Sequence, residues 1–290
     1  LKDKLGNKSN ASSEIEYDNT WARMVGEEGR GVRTILDMVH HTRLDTALAA
    51  AGYMRQALNN AINHTAHRTA FQKRLIDQPA MKNVLADLTI EAEAATTLVM
   101  RVARAYDEGE GDEKARAFAR LAVALAKYWI NRRTPTFVFE AMECHGGVGY
   151  VEESVMPRLF RESPLNSIWE GSGNVITLDV LRTLAREPES IDAYIAEIEP
   201  AQGADRRLDA AVKALKQAII DDGAHEFAAR RLGEAMALVL QGALLVRHAP
   251  APIADAFCAS RLGGDWGFAF GTLPGGVDLD AVIDRVRPPL

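Results

Sequence analysis

One carboxylate of this 290-residue chain stands in a setting that suits a proton acceptor. Glu170 follows Trp169 and precedes the turn Gly171-Ser172-Gly173, which leads into an apolar helical pattern. An aromatic neighbour keeps water from one side of a carboxylate, and this favours proton uptake near neutral pH. The glycines let backbone N–H groups at the start of the helix approach a phosphate-bearing cofactor, and Ser172 and Asn174 add hydrogen-bonding side chains.

A purely structural interpretation of Glu170 competes with this one. Ser167 and Glu170 match the capping-box pattern, in which the glutamate satisfies a helix N-terminus. The glycines that follow Glu170 oppose it, because a glycine costs about 1 kcal/mol in a helix interior. Ser172 or Asn174 is the better N-cap. We therefore expect Glu170 in a loop just before the helix.

The segment around Glu170 resembles the catalytic end of the acyl-CoA dehydrogenases. In that family an aromatic-Glu-Gly-(Thr/Ser) sequence carries the base that removes the α-proton of an acyl-CoA thioester, while FAD accepts the β-hydride. Three more segments resemble the family in the same order: Val25 to Gly31, His67 to Gln78 and Glu143 to Tyr150. The tryptophan before the base and the segment Phe270 to Pro274 are most similar to the AidB-like branch.

The resemblance implies a set of FAD-binding residues, namely Arg68, Phe71, Gln78, Gly146, Gly147, Ser172 and Asn174. Arg68 would contact the pyrophosphate, and Phe71 the adenine side, across a subunit interface, since a guanidinium suits bidentate phosphate contact. Without the resemblance they would be a surface arginine and a core phenylalanine. The glycine pair would let the backbone approach FAD of the neighbouring subunit, or would simply end a helix. The chain departs from the family pattern at Gln72, where members have Gly, and at Val148, where members have Asn.

On the substrate side, the resemblance implies Arg43 and Gly171, although Arg43 alone would equally be a surface charge. Some family members carry the catalytic carboxylate immediately before the arginine that Arg43 matches. Thr42 occupies that position here and cannot accept a proton at neutral pH. We therefore expect Glu170 to be the catalytic base of an FAD-dependent acyl-CoA dehydrogenase that acts on an acyl-CoA substrate.

Helical spacing of apolar residues runs through most of the chain and predicts an all-α fold. Long helices are expected at about 30–68, from Pro79 to Gly109, at 113–144 with a kink at Pro135, and at 174–186; together they form a four-helix bundle. Further helices are expected near 189–199, 204–220, 224–247 and 251–260. The segment Thr20 to Val25 is typical of a strand.

These patterns divide the chain into three parts: a remnant of an upstream β domain or linker at 1–28, the acyl-CoA dehydrogenase C-terminal bundle at 29–186 and a helical C-terminal extension at 187–290. In the family, an N-terminal helical domain and a β domain precede the bundle. The resemblance implies that this chain is a C-terminal piece that carries the base but does not hold FAD in working geometry alone. It also implies a homodimer or a dimer of dimers.

Composition excludes several classes of protein. The chain has neither an apolar stretch long enough to span a membrane nor a signal peptide, which predicts a cytoplasmic protein without membrane contact. Cys144 and Cys258 are too few for a disulfide framework and are expected to be reduced. His64 and His67 lack a second ligand pair, so no metal site is expected.

Charge is uneven along the chain, and this bears on nucleic-acid binding as the alternative function. Residues 187–290 contain 16 acidic and 10 basic residues, so the whole net charge of −6 lies there. Basic residues nevertheless group in this part: Arg206, Arg207, Lys213, Lys216, Arg230 and Arg231. AidB-like proteins are associated with alkylation stress and duplex DNA. Because the background is acidic, we expect at most weak DNA binding.

Overall fold

The computed structural model describes residues 1–222 and 225–287, and this part of the chain is mostly helical, with almost no strand. After the first helix, two strands of two residues each, β1 (Thr69–Ala70) and β2 (Lys73–Arg74), form an antiparallel hairpin. The helices of the described residues are α1 (Gly31–His67), α2 (Pro79–Glu108), α3 (Glu113–Glu143), α4 (Met156–Glu162), α5 (Gly173–Arg186), α6 (Pro188–Ile198), α7 (Arg206–Asp222), α8 (Ala229–His248), α9 (Ala251–Phe257) and α10 (Leu279–Asp284). The prediction of an all-α fold is confirmed.

Local sequence signals set the ends of the bundle helices. Pro79 lies in the first turn of α2, where its missing N–H leaves no hydrogen bond unmade, and Gly109 follows the last residue of that helix. Asp112 caps α3, because its side chain accepts hydrogen bonds from the N–H groups of Lys114 and Ala115. α3 continues through Pro135 as one helix.

The third helix is the centre of the fold. α3 packs against α1, α2, α5, α6 and α8, and its middle stretch, residues 121–131, is buried on every side. Alanines at 122, 124 and 126 are fully buried and let neighbouring helices approach closely. Any polar side chain within this stretch must therefore find its partners inside the protein.

The C-terminal helices share the bundle's core and are joined to it by buried ion pairs. Arg261, which follows α9 in a π-helical turn, pairs with Asp87 and Glu91 of α2, and Arg133 of α3 donates to Glu91 at 3.0 Å. Burial raises the pKa of Glu91, but the charges of Arg133 and Arg261 outweigh it and lower the pKa to about 2. This carboxylate is therefore ionised in the core.

Several sequence-based expectations differ from the structure. The predicted strand Thr20 to Val25 does not form, because no other described segment supplies the backbone hydrogen bonds that a strand needs. The hairpin and the short helices α4 and α10 were not predicted. The helix expected from 224 begins at Ala229, and its expected start lies outside the described residues. No described helix combines the length and apolarity needed to cross a bilayer.

Candidate functional site

Glu170 lies in a loop between a 3-10 turn, Leu165–Ser167, and the first residue of α5. The capping-box interpretation is wrong, because Glu170 is outside the helix and Ser172 is the N-cap residue, without a side-chain capping bond. Glu170 has a left-handed backbone, with φ +57, and Gly171 follows with φ +105. A non-glycine residue in this region costs of order 1–3 kcal/mol and persists only where its surroundings hold it.

Two cationic side chains, Lys127 and Arg43, donate hydrogen bonds to the backbone of residues 166–172, called here the Glu170 loop. They do so from the side of the loop that faces the protein interior. Nζ of Lys127 donates to the carbonyl oxygen of Gly171 at 2.7 Å and to that of Asn166 at 3.2 Å. Nε of Arg43 donates to the carbonyl oxygen of Glu170 at 3.3 Å. The loop therefore directs three carbonyl groups inward onto positive charge.

Arg43 is buried, so its interpretation as a surface charge is wrong. Its NH1 donates to Asp179 of α5 at 2.8 Å, and Arg120 of α3 donates to the same carboxylate at 3.0 Å. Burial raises the pKa of Asp179, but the hydrogen bonds and charges of Arg120 and Arg43 outweigh it and leave that pKa below its usual range. The network thus ties α1, α3 and α5 together behind Glu170. It also occupies the Arg43 guanidinium, which supports the loop.

The other side of the loop carries unused hydrogen-bonding groups. Within residues 1–222 and 225–287, the N–H groups of Glu170, Gly171 and Ser172 donate to no acceptor, and the Glu170 carboxylate accepts no hydrogen bond. A trans peptide carries its C=O and N–H on opposite sides. The carbonyls of Glu170 and Gly171 point toward Arg43 and Lys127, so the N–H groups of Gly171 and Ser172 turn away from the core. The Glu170 carboxylate and these N–H donors therefore lie in the same loop, without partners among the described residues.

Trp169 is the aromatic neighbour of this carboxylate. Its side chain is exposed, at 37%, and its indole Nε1 donates to Oδ1 of Asn166 at 3.0 Å. The indole is thus fixed to the beginning of the loop that Lys127 also holds.

Lys127 was missed by the sequence analysis. Its side chain is 2% exposed, and burial together with the charge of Arg43 lowers its pKa to about 8, against the opposing charge of Glu170. The available signal was its position: a lone lysine between Ala124-Leu125-Ala126 and Tyr128-Trp129-Ile130 has no solvent-facing side on a buried helix. Its partners are carbonyl groups from a segment about 40 residues away, which no local pattern reveals.

The predicted FAD-binding residues at the other end of α1 lie on an open surface. Phe71 at the hairpin tip is 92% exposed, so its interpretation as a core residue is wrong. Arg68 is exposed and forms no ion pair within the described residues, whereas Gln78 Nε2 donates to the carbonyl oxygen of Ala70 at 3.2 Å. A guanidinium without a carboxylate partner is available for a phosphate.

The glycine pair follows α3 directly. Gly146 has φ +61, which fits the end of a helix, and a Cβ at Gly146 or Gly147 would meet no atom within 4 Å. Rings of His64 on α1 and His145 pack with centroids 4.8 Å apart, which joins the end of α1 to this turn. Exposed arginine, exposed aromatic ring and open glycine backbone are groups that fit a dinucleotide such as FAD.

Ser172 and Asn174, the remaining predicted FAD residues, are exposed at the start of α5. Oδ1 of Asn174 accepts a hydrogen bond from Nε of Arg230 at 2.7 Å. The sequence analysis grouped Arg230 with the basic residues of the C-terminal extension. In the structure, Arg230 contacts the start of α5. Arg207 of the same group forms ion pairs with Asp205 and Asp255.

No group of three or more metal-ligating side chains occurs among the described residues. Cys144 and Cys258 are unpaired and buried, and burial raises the pKa of each thiol to about 12. Neither thiol is activated as a nucleophile.

Comparison with known proteins identifies the family. Residues 29–185 match the model of the acyl-CoA dehydrogenase C-terminal domain. This chain belongs to the acyl-CoA dehydrogenase family. It is 43% identical over 262 residues to AidB of Escherichia coli (strain K12), a match that covers 90% of this chain and 48% of AidB.

Two further matches are to proteins of the nematode Caenorhabditis elegans. Acyl-CoA dehydrogenase family member 11 of Caenorhabditis elegans is 30% identical over 271 residues, which is 86% of this chain and 44% of that protein. The crystal structure of C. elegans ACDH-11 in complex with C11-CoA superposes with a TM-score of 0.85 and 26% identity, over 90% of this chain and 49% of that one. The chain thus spans about half the length of the relatives it matches.

Proposed function

We propose that these residues serve the FAD-dependent dehydrogenation of an acyl-CoA thioester, with Glu170 as the catalytic base. The observation that carries this proposal is the Glu170 loop, in which an unpartnered carboxylate lies next to unpartnered N–H groups while cations hold the opposite face. Membership of the acyl-CoA dehydrogenase family supports it. The C. elegans neighbour that binds C11-CoA supports an acyl-CoA as the substrate.

Proton removal needs both the carboxylate and the N–H donors of the loop. A thioester α-C–H is a weak acid, so a carboxylate removes its proton only if the negative charge that develops on the thioester oxygen is stabilised. N–H donors such as those of Glu170 and Gly171 can supply this, and a single donor of this kind contributes roughly 10²–10³ in rate. Glu170 takes the α-proton, and Arg43 and Lys127 keep the loop in place. FAD, when bound, supplies the acceptor for the β-hydride.

We assign FAD binding to the half-buried Gln78 and to six exposed residues described above, namely Arg68, Phe71, Gly146, Gly147, Ser172 and Asn174. The first five lie on an open surface, which suits a cofactor shared between subunits of a homodimer or a dimer of dimers. Residues 29–186 then form the domain that carries the base, and the described residues of 187–290 form an extension packed on it. Gly171 contributes backbone contact to the substrate.

The experiment is anaerobic mixing of an FAD-loaded protein that contains these residues with short-, medium- and long-chain saturated acyl-CoA thioesters. The proposal predicts bleaching of the yellow flavin absorbance by at least one of them. A flavin that stays oxidised with every chain length would overturn it.

A further inference from the structure

A buried lysine needs a reason, because an ammonium group in a protein core loses its hydration. The Lys127 side chain is almost inaccessible to water, and none of the described carboxylates forms a salt bridge with it. A methionine or leucine of similar length would fill the same space without that cost. The protein retains a cation here, and the cation's hydrogen bonds go to one place.

That place is the Glu170 loop. The Lys127 ammonium joins the carbonyl of Asn166 at its beginning to the carbonyl of Gly171 near its end, across four intervening residues. Trp169 and Glu170 lie between these two carbonyls, and Glu170 has the left-handed backbone conformation. Charge-assisted hydrogen bonds are about twice as strong as neutral ones, so this bridge can hold a backbone conformation that is unfavourable by itself.

We propose that Lys127 is a positioning residue that closes the Glu170 loop and keeps Glu170 in its left-handed conformation. The inference rests on the proposed role of Glu170 as the base. Lys127 donates no hydrogen bond to a carboxylate of the described residues; it acts through the carbonyls of Asn166 and Gly171.

The protonation state of Lys127 offers a direct readout. Arg43 from α1 and Glu170 from the loop are the charged groups that act on it, with opposite effects, and burial adds to the effect of Arg43. Its pKa of about 8 means that the ammonium becomes a neutral amine within an accessible pH range. A neutral amine donates weaker hydrogen bonds, so the loop should respond to pH.

Trp169 is the reporter. The protein is produced with 5-fluorotryptophan, and the Trp169 fluorine resonance is assigned with the Trp169→Phe variant. We expect this resonance to titrate with a midpoint near pH 8 in the unmodified chain. Trp21, which is exposed and distant in sequence, serves as an internal control that does not titrate. A Trp169 resonance that stays flat from about pH 7 to 11, a range that includes the ordinary lysine pKa, would overturn the proposal.

The matched variants are Lys127→Met and Lys114→Met, both on α3, with Lys114 exposed. Lys127→Met should abolish the titration and speed exchange of the Trp169 indole N–H about tenfold or more, because the bridge that fixes Asn166 is lost. Lys114→Met should change neither. Identical Trp169 behaviour in Lys127→Met and the unmodified chain would refute the assignment. If Lys127→Met does not fold, as judged by circular dichroism, the titration of the unmodified chain decides.

These measurements use the chain without flavin and read only the conformation of the loop. A negative result removes the positioning role of Lys127 and leaves the role of Glu170 untouched. The role of Glu170 is tested separately by flavin reduction.

Discussion

Replacing Asp179 by asparagine tests the ion network behind the candidate site. Asp179 is 7% exposed and accepts hydrogen bonds from Arg43 and Arg120, so Asp179→Asn keeps the shape of the side chain and removes the charge that both arginines face. Breaking a buried ion pair by removing one partner costs about 3–5 kcal/mol. Arg120 keeps an ion pair with Glu187 at 3.2 Å, whereas Arg43 loses its carboxylate. We therefore expect the lower end, about 3 kcal/mol in the free energy of unfolding.

The assay is urea and thermal unfolding followed by circular dichroism of the helices. At about 2–4 °C per kcal/mol, the melting temperature of Asp179→Asn should fall by roughly 6–12 °C. The control is Asp107→Asn, because Asp107 is exposed on α2 and forms no ion pair with the described residues; it should change stability by about 0.5 kcal/mol or less. A loss below about 1 kcal/mol in the free energy of unfolding of Asp179→Asn would show that the buried ion pair of Asp179 with Arg43 contributes little to stability.

Acid titration of stability gives an independent check of the same network. The pKa of Asp179 is lower in the folded protein than in the unfolded chain, so its stabilising contribution is complete above the unfolded value near 3.9. That contribution is lost as the pH falls through the folded value. The difference in stability between the unmodified chain and Asp179→Asn should therefore shrink toward pH 3.

Three further predictions concern the hairpin, the cofactor and nucleic acid. Gln72 has φ +66, so Gln72→Gly should raise the free energy of unfolding by about 1 kcal/mol in urea titrations, and a destabilised variant would show that the Gln72 side chain matters more than its backbone. The 290-residue chain should purify colourless, because the family resemblance implies that the helical bundle alone does not hold FAD in working geometry; stoichiometric flavin absorbance after gel filtration would contradict this. Duplex DNA binding should be weak and should disappear by about 0.2 M salt in fluorescence anisotropy, and nanomolar affinity at that salt would mean that the acidic tail was misinterpreted.

The long helices could be predicted because their signals are local. Pro79, Gly109 and Asp112 mark helix ends through their own backbone or side-chain chemistry, and apolar spacing fills the space between them. The hairpin could not be predicted in the same way, since Phe71 and Gln72 adopt positive φ without a glycine. The strand expected at Thr20 to Val25 shows the opposite error, because strand-like residues form no strand without a partner.

The candidate site could likewise be predicted only where its signals are local in sequence. The glycines around Glu170 predicted that it lies in a loop outside α5, and the structure confirms that position. Lys127 was invisible to the sequence analysis because its partners are carbonyl groups brought together only by the packing of α3 under the loop. The roles of Arg68, Phe71 and the glycine pair remain predictions from the family resemblance.

The central claim is that Glu170 removes the substrate proton, and Glu170→Gln tests it most directly. In an FAD-loaded protein that contains these residues, stopped-flow absorbance measures the rate of flavin reduction by an acyl-CoA that the unmodified protein oxidises. Glutamine keeps the size of the side chain but cannot accept the proton, so we expect retained yellow colour and a rate lower by about three orders of magnitude or more. Asp45→Asn, an exposed carboxylate on α1, should leave the rate nearly unchanged. Flavin reduction by Glu170→Gln at close to the unmodified rate would show that Glu170 does not remove the substrate proton.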